Sequence, residues 1–351
     1  MVLTTTTVDD DMINELARHE GFPAISILVP LDRRQPGNAD DAERVRTVAN
    51  QVAVELSRAL PAADAERMME RVEDALGSID LGHPHEAVGV FVAEGFTSVV
   101  ALDIPVQPQV SVEHHFVVRD LLAGAAFTRP ARIVVLSRGK TRCIDVRGTD
   151  ATERFDTRFP VEVEAPSEAD PQRRNYPIGE REHAEEAEFV FRAVVDALAN
   201  LDKREQAPIV LVGTSRNVAY FETVAGRTFE IVGRVVGNHE HDSIELIVQV
   251  ARLELDARRH DRVIRVCADM HDAIGTSAVA GLAGVSAAAR TGRGRVLLVE
   301  TDYRSRVVVD GRRVDRVEET IREVVCHGGG VVEVDPGLLT DLGCIALFTR
   351  Y

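Results

Sequence analysis

Arg173, Arg174, Asn175, Tyr176, Arg181 and His183 crowd into one short stretch of the sequence. Their types belong to one chemistry: guanidinium groups bond phosphate oxygens, and a tyrosine ring stacks on an unpaired base. His183 adds a group that takes up or gives a proton near neutral pH. The same residues also describe a solvated loop whose charges keep it soluble, and a lone histidine at a helix start is ordinarily a surface residue. Residue types alone leave both readings open. The stretch that carries most of them, 164–181, contains Pro166, Pro171, Pro177 and Gly179 and almost no spaced apolar residues. It can bury no face, and reads as a long exposed loop.

Other groupings invite the same two-sided reading. Arg33 and Arg34 follow a strand-like run, and Arg44 and Arg46 follow on the next helix. They are candidate RNA contacts, or else a solvated helix face with Asp41 and Glu43 as partners. His239, Glu240, His241 and Asp242 place four possible ligands side by side, but a metal needs side chains converging from one face or from separate elements. A polar turn capping a helix accounts for them, with Glu245 three residues beyond Asp242 in capping-box spacing. No metal site is expected. Gly213, Thr214, Ser215 and Arg216 follow a strand and open a helix, where amides can hold a phosphate. The lysine and further glycines of a phosphate-binding loop are missing. Gly328 to Gly330 reads as a helix stop, and no cofactor is expected.

The elements that must position these groups follow from apolar spacing. From Glu182 the pattern Ala187, Val190, Phe191, Val194, Leu198 and Leu201 is an amphipathic helix beginning where the loop ends. Before the loop, a short helix from about Asp10 to Arg18, a strand from Ala24 to Val29 ended by Pro30, two helices over Val45–Leu60 and up to Leu76, and strands at Ala87–Ala93 and Thr97–Leu102 form an α/β group. A helix around Phe116–Ala126, a hairpin turning at Arg138-Gly139-Lys140 and a strand near Thr152–Phe155 follow. After the loop helix come a strand at Pro208–Val212, a helix near Asn217–Val224, a strand over Phe229–Val236 and a helix reaching about Arg258. The last part reads as a helix stripe from Val263 to Ile274, an Ala-rich helix from Ala278 to Ala289, a strand at Arg295–Val299, a helix from Val314 to Val325, and strands at Val331–Val334 and Ile345–Tyr351. Alternation of helices and strands there implies an α/β/α sandwich.

Length and charge set the limits. At 351 residues the chain is expected to form several domains, read as 1–115, 116–256 with its extended loop 164–181, and 257–351. The net charge of −16 disfavours a free nucleic-acid binder and DNA as a partner. The acidity sits mainly in residues 1–116, with 20 acidic against 8 basic side chains, whereas 256–351 carry 14 of each. No long apolar run or secretory pattern is present, and Cys143, Cys267, Cys326 and Cys344 are scattered. The expectation is a cytoplasmic, α/β protein with reduced thiols and no membrane contact.

The order of elements resembles a known family. The helix starting near Glu182, the strand and turn Ile209–Ser215, the strand Ile231–Val236 with Gly237, and the ending Leu339–Tyr351 are similar to archaeal and eukaryotic class-one release factors and Pelota, and more closely to their bacterial relatives, the baeRF group. The resemblance implies an RNase H-like middle domain, an L7Ae-like C-terminal domain, and binding in the ribosomal A site against ribosomal RNA, with a translation GTPase as a further partner. It places the loop carrying Arg173 to His183 near the peptidyl-transferase centre. In release factors that loop carries Gly-Gly-Gln, which positions water at the peptidyl-tRNA ester. Here it reads Asn175-Tyr176-Pro177-Ile178-Gly179, and Gly-Gly-Gln occurs nowhere in the chain. The resemblance thus implies a non-catalytic factor acting in ribosome hibernation or rescue of stalled ribosomes. The competing expectations are a peptidyl-tRNA or RNA hydrolase with a divergent loop, and a non-ribosomal adaptor or stress-signalling protein.

Overall fold

The computed structural model describes residues 6–83, 85–156, 158–162, 180–202, 207–309 and 312–351. The chain divides into two compact units, one made of 1–128 together with 263–351 and the other of 129–262.

The N-terminal part of the first unit runs β1 (Thr6–Thr7), α1 (Asp10–Arg18), β2 (Ala24–Pro30), α2 (Ala39–Ala59), α3 (Ala62–Gly77), β3 (Ala87–Ala93), β4 (Phe96–Leu102), β5 (Gln109–Glu113) and α4 (Arg119–Phe127). The sheet order is β1-β4-β3-β2-β5, antiparallel except for β1 on β4. Strand alternation sends Ile25, Ile27 and Val29 to one face, where they meet Val48, Val52 and Leu56 of α2 and Met68 and Val72 of α3. Each such side chain, fully buried, contributes about 1.5–3 kcal/mol. The other face sends Leu28, Phe91 and Leu102 into a cluster with Ile13 and Leu16 of α1 and Leu121 of α4. The strand β5 is an addition to the elements read from sequence. Its residues are all half-buried and follow Pro105 and Pro108, so the local pattern resembles a linker.

The second unit contains β6 (Ala131–Val135), β7 (Lys140–Arg147), β8 (Asp150–Glu153), β9 (Val161–Glu162), α5 (Glu180–Asp202), β10 (Ile209–Gly213), α6 (Ser215–Ala225), β11 (Ile231–Val236) and the first part of α7 (Ile244–Ala273). Its sheet order is β11-β10-β6-β7-β8, parallel among the first three and antiparallel beyond, with β9 also on β7. Ile209 and Leu211 pack against Phe191, Val194 and Leu198 of α5 and Phe221 of α6. Their neighbours Val210 and Val212 pack on the opposite face against Ile247, Val248 and Ala251 of α7. Gly233 is required in β11 because a Cβ there would stand 2.6 Å from Glu254 Cβ on α7. The two helical stretches read from sequence around Arg258 and Val263 are one helix. The residues between them interrupt the apolar stripe but include neither proline nor glycine, so nothing stops the backbone ladder.

The C-terminal part of the first unit holds β12 (Ala278–Ala280), α8 (Leu282–Arg290), β13 (Gly294–Glu300), β14 (Arg306–Val309), β15 (Arg312–Asp315), α9 (Arg316–Cys326), β16 (Gly330–Val334) and β17 (Ile345–Thr349). The sheet order β12-β17-β13-β16 is covered by Val285, Ala288, Val317, Ile321 and Val324 on one face and by Cys267 and Met270 of α7 on the other. The expected Ala-rich helix from Ala278 is shorter than read, since its first residues pair with β17 as an edge strand and Gly281, at φ 75°, turns the chain into α8. All four cysteines are unpaired.

Residues of both parts of this unit enter one core, in which Leu16, Phe91 and Leu121 share a cluster with Leu297, Ile321 and Leu347. A buried ionic group lies beside it. Arg119, 1% exposed at the start of α4, donates to the carbonyls of Tyr303 at 3.0 Å and of Glu300, and pairs with Glu333 of β16. Glu318 of α9 stands 3.7 Å away. Arg322 of α9 donates to Ala17 O at 2.8 Å and to Glu20 at 2.6 Å.

Candidate nucleic-acid interface

Among the sequence candidates, the structure describes most fully the basic group that follows β2. Pro30 ends the strand and Leu31 donates to Glu86 O at 2.9 Å, which anchors the start of the loop. Asp32 then shapes it: its carboxylate accepts from Arg34 N at 2.9 Å and its carbonyl from Gln35 N at 3.1 Å. Gly37, at φ 74°, brings the chain round to Asn38, the N-cap of α2, whose side chain accepts from Asp41 N at 2.8 Å.

Asp41 holds this arrangement together from inside. Only 1% exposed, it accepts from Asp32 N at 3.0 Å and Asn38 Nδ2 at 3.0 Å, and pairs with Arg44. A buried carboxylate is tolerated because each acceptor site is used. Asp41→Asn would turn one acceptor into a donor facing other donors and remove the charge opposite Arg44. The expected loss is about 2 kcal/mol of unfolding free energy, read from urea denaturation, and an unchanged midpoint would show that the loop is held by something else.

Arg33, Arg34 and Arg44 line one open cleft of about 650 Å3, with Asp32, Glu86 and Pro108 also on its walls. Among the described residues Arg33 and Arg34 have no carboxylate partner, so their guanidinium groups are available to phosphate. Arg44 and Arg46 are different. They pair with Asp41 and Glu43 as the helix-face reading anticipated, so the available charge is narrowed to Arg33 and Arg34. The sequence signal for this site was the adjacent arginines. The role of Asp41 could be read only as an i,i+3 neighbour of Arg44, because its bond to Asp32 depends on the loop folding back.

Arg173, Arg174, Asn175 and Tyr176 lie outside the described residues, as does nearly all of the loop that carries them. Arg181 and His183 fall in the first turn of α5, where the backbone is described and their side chains are not.

The remaining motifs have structural roles. Thr214 caps α6 by accepting from Asn217 N at 3.3 Å, and Asn217 Nδ2 reaches Leu136 O at 3.3 Å. His239 Nδ1 is 2.8 Å from Asp242 Oδ2, Glu240 accepts from Ser137 Oγ at 2.7 Å, and Arg142 donates to the carbonyls of Glu240 and Asp242. The turn is thus consumed in tying β7 to the start of α7. Its helix cap is Ser243, whose hydroxyl faces Leu246 N at 3.4 Å, and not Asp242, which is occupied by His239. Among the described residues no group of three or more His, Cys, Asp or Glu could hold a metal ion, and no helix is long and apolar enough to cross a membrane. Gly328 ends α9 at φ 70°, and Gly329 allows an approach in which a Cβ would stand 2.6 Å from Val324 Cγ1.

Residues 132–293, from β6 through α8, match the model of bacterial archaeo-eukaryotic release factor family 3. That span, a little under half of the chain, is similar to the bacterial archaeo-eukaryotic release factors. Solved structures similar to this chain include archaeal Pelota in a model of ribosome-bound Pelota and ABCE1, with 16% identity, TM-score 0.44, and coverage of 99% of this chain and 95% of that one. Dom34 of S. cerevisiae, described as a translation termination-like factor that interacts with Hbs1, has 16% identity, TM-score 0.41, and coverage of 76% and 79%. The archaeal termination factor aRF1 has 15% identity, TM-score 0.28, and coverage of 98% and 99%. Likenesses this distant carry no argument about activity. No curated protein matches the chain in sequence.

Proposed function

We propose that this chain binds the ribosome in the A site without cleaving peptidyl-tRNA, in hibernation or in rescue of stalled ribosomes. The observation that carries the reading is the match of 132–293 to the release-factor family in a sequence that has no Gly-Gly-Gln. The matched span includes the segment Arg173 to His183, where a release factor would carry its ester-cleaving tip. Removal of that tip leaves a docking body. In this reading Arg173, Arg174, Asn175, Tyr176, Arg181 and His183 contact ribosomal or transfer RNA from the middle of three domains, divided at 115/116 and 256/257. Arg33 and Arg34 contact RNA from the N-terminal one. A translation GTPase delivers the protein.

Binding to phosphates releases counterions, so the affinity of such a protein falls with salt, and each phosphate no longer neutralised flattens that dependence. Arg33→Glu with Arg34→Glu, and separately Arg173→Glu with Arg174→Glu, are expected to weaken ribosome association. Each pair should lower the slope of log affinity against log salt by about 1 for every phosphate that its arginines had neutralised. Unchanged affinity and slope in either pair would remove that site from the interface. Ester hydrolysis of peptidyl-tRNA by the purified protein would replace the proposal with the enzymatic reading.

A further inference from the structure

Helix α7 is apolar on two opposite faces. With about 100° between successive residues, Ile247, Val248 and Ala251 share the side that lies on the sheet, and all three are buried. Leu246, Val250, Leu253 and Ala257 recur at alternating spacings of four and three, which sets them in one line on the other side. Leu246 is 44% exposed and Leu253 71%, while Val250 is half-buried and Ala257 exposed. A helix packed on a sheet needs one apolar face only. On this side of the sheet no other helix enters the core among the described residues, so the second face points out of its unit. All of these residues belong to the second unit, and an exposed apolar line of this kind marks a contact surface.

The charges beside the stripe decide what fits it. Residues 244–256 hold Glu245, Glu254 and Asp256 against Arg252, whereas 257–262 hold Arg258, Arg259 and Arg262 against Asp261. The stripe therefore begins acidic and ends basic. A second copy of α7 laid antiparallel brings an acidic start to a basic end twice over, and a parallel one sets like charge against like. In the antiparallel register centred between Ala251 and Arg252, Val250 faces Leu253 of the second copy and Leu246 faces its Ala257, so the apolar line complements itself. Glu245 then comes level with Arg258 and Arg259 of that copy, and Arg259 lies on the same flank of the helix as Glu245. Arg259 also bonds to Asp256 of its own helix at 3.4 Å, both side chains being exposed. Arg252, near the centre of this register, turns back to donate to Gly148 O at 2.7 Å. A membrane surface asks for a basic rim along the whole stripe, and RNA offers phosphates where the stripe offers leucine and valine.

We propose that this chain dimerises through α7, two copies packing antiparallel along Leu246, Val250, Leu253 and Ala257 with Glu245 paired to Arg259 at each end. The inference stands apart from ribosome binding. The contact spans only about three helical turns, so the dimer belongs with weak, transient interfaces and a Kd on the order of 10 μM is expected.

Sedimentation velocity of the full chain from ~1 to ~200 μM, bracketing that Kd, tests it. A reversible monomer–dimer equilibrium is expected. Leu253→Glu places a charge at the centre of the stripe, at a position too exposed to matter for the fold, and this variant should stay monomeric at ~200 μM. Glu245→Arg and Arg259→Glu should each weaken the dimer about tenfold, because attraction becomes repulsion at both ends, and the two together should restore the parent's affinity within about threefold. A parent chain that stays monomeric at ~200 μM would overturn the proposal. So would a dimer that Leu253→Glu leaves intact, since the contact would then lie elsewhere. Unchanged affinity in either single charge variant, or a double variant no stronger than the singles, would exclude the antiparallel pairing.

Discussion

Arg119→Met is expected to lower the unfolding free energy by about 3–5 kcal/mol at mildly alkaline pH, the size seen when one partner of a buried ion pair is removed. Methionine fills the same volume but donates nothing. It would leave Glu333 and Glu318 without their cation and the carbonyls of Tyr303 and Glu300 without a donor. The loss should shrink at acidic pH, because Glu318, already up to about 7, and Glu333, also raised by burial, can take protons instead of facing each other as charges. Urea denaturation at two pH values measures both effects. A loss below about 1 kcal/mol, ordinary for a surface pair, would mean that the group can be solvated by local opening.

Glu318→Gln is expected to act in the opposite sense. The carboxyl has an ordinary value of 4.5 and is pushed up to about 7 in the fold by burial, so between these the folded state binds the proton more tightly than the unfolded chain. Its contribution is fully present below about 4.5 and is lost as pH rises through about 7, a loss on the order of 3 kcal/mol. Glutamine keeps the shape without the ionisation. The variant should therefore match the parent at acidic pH, exceed it in stability at pH 8, and show a shallower decline between. Glu113, Glu333 and Asp120 are raised in the same direction by burial, so part of the slope should remain. Parallel stability curves for variant and parent would show that Glu318 ionises with no penalty and is hydrated in solution.

Local pattern made much of the fold legible. The boundaries of α1 at Asp10 and Arg18 are those of the structure, and the strand read from Ala24 to Val29 runs one residue further, to Pro30. There the apolar spacing, the cap and the proline all point the same way. What could not be read was decided by distant partners. The half-buried residues of β5 become a strand because β2 offers them an edge. The hairpin of β14 and β15 is hidden by its arginines, and the start of the expected Ala-rich helix is drawn into a sheet by β17. The ends of α9 were close to those read, since Asp315 accepts from Val317 N at 2.9 Å as a cap placed just before an amphipathic stripe.

The candidate site divides in the same way. Adjacent arginines marked Arg33 and Arg34 from type alone, but which of the four arginines were already paired depended on Asp41 and Glu43 lying one turn away. Arg119, Glu318 and Glu333 could not be matched with one another from sequence, because the side chains that meet come from α4, α9 and β16. A buried arginine at the start of an otherwise apolar helix is the trace such a group leaves, and it acquires meaning only with its partners in place.

The proposed docking on ribosomes of a chain without Gly-Gly-Gln is tested most directly by sedimentation of the purified protein with vacant ribosomes across a salt series. Co-migration at ~50 mM salt that declines steeply by ~200 mM is expected from binding through phosphates. Protein that remains in the supernatant at the lowest salt would contradict it.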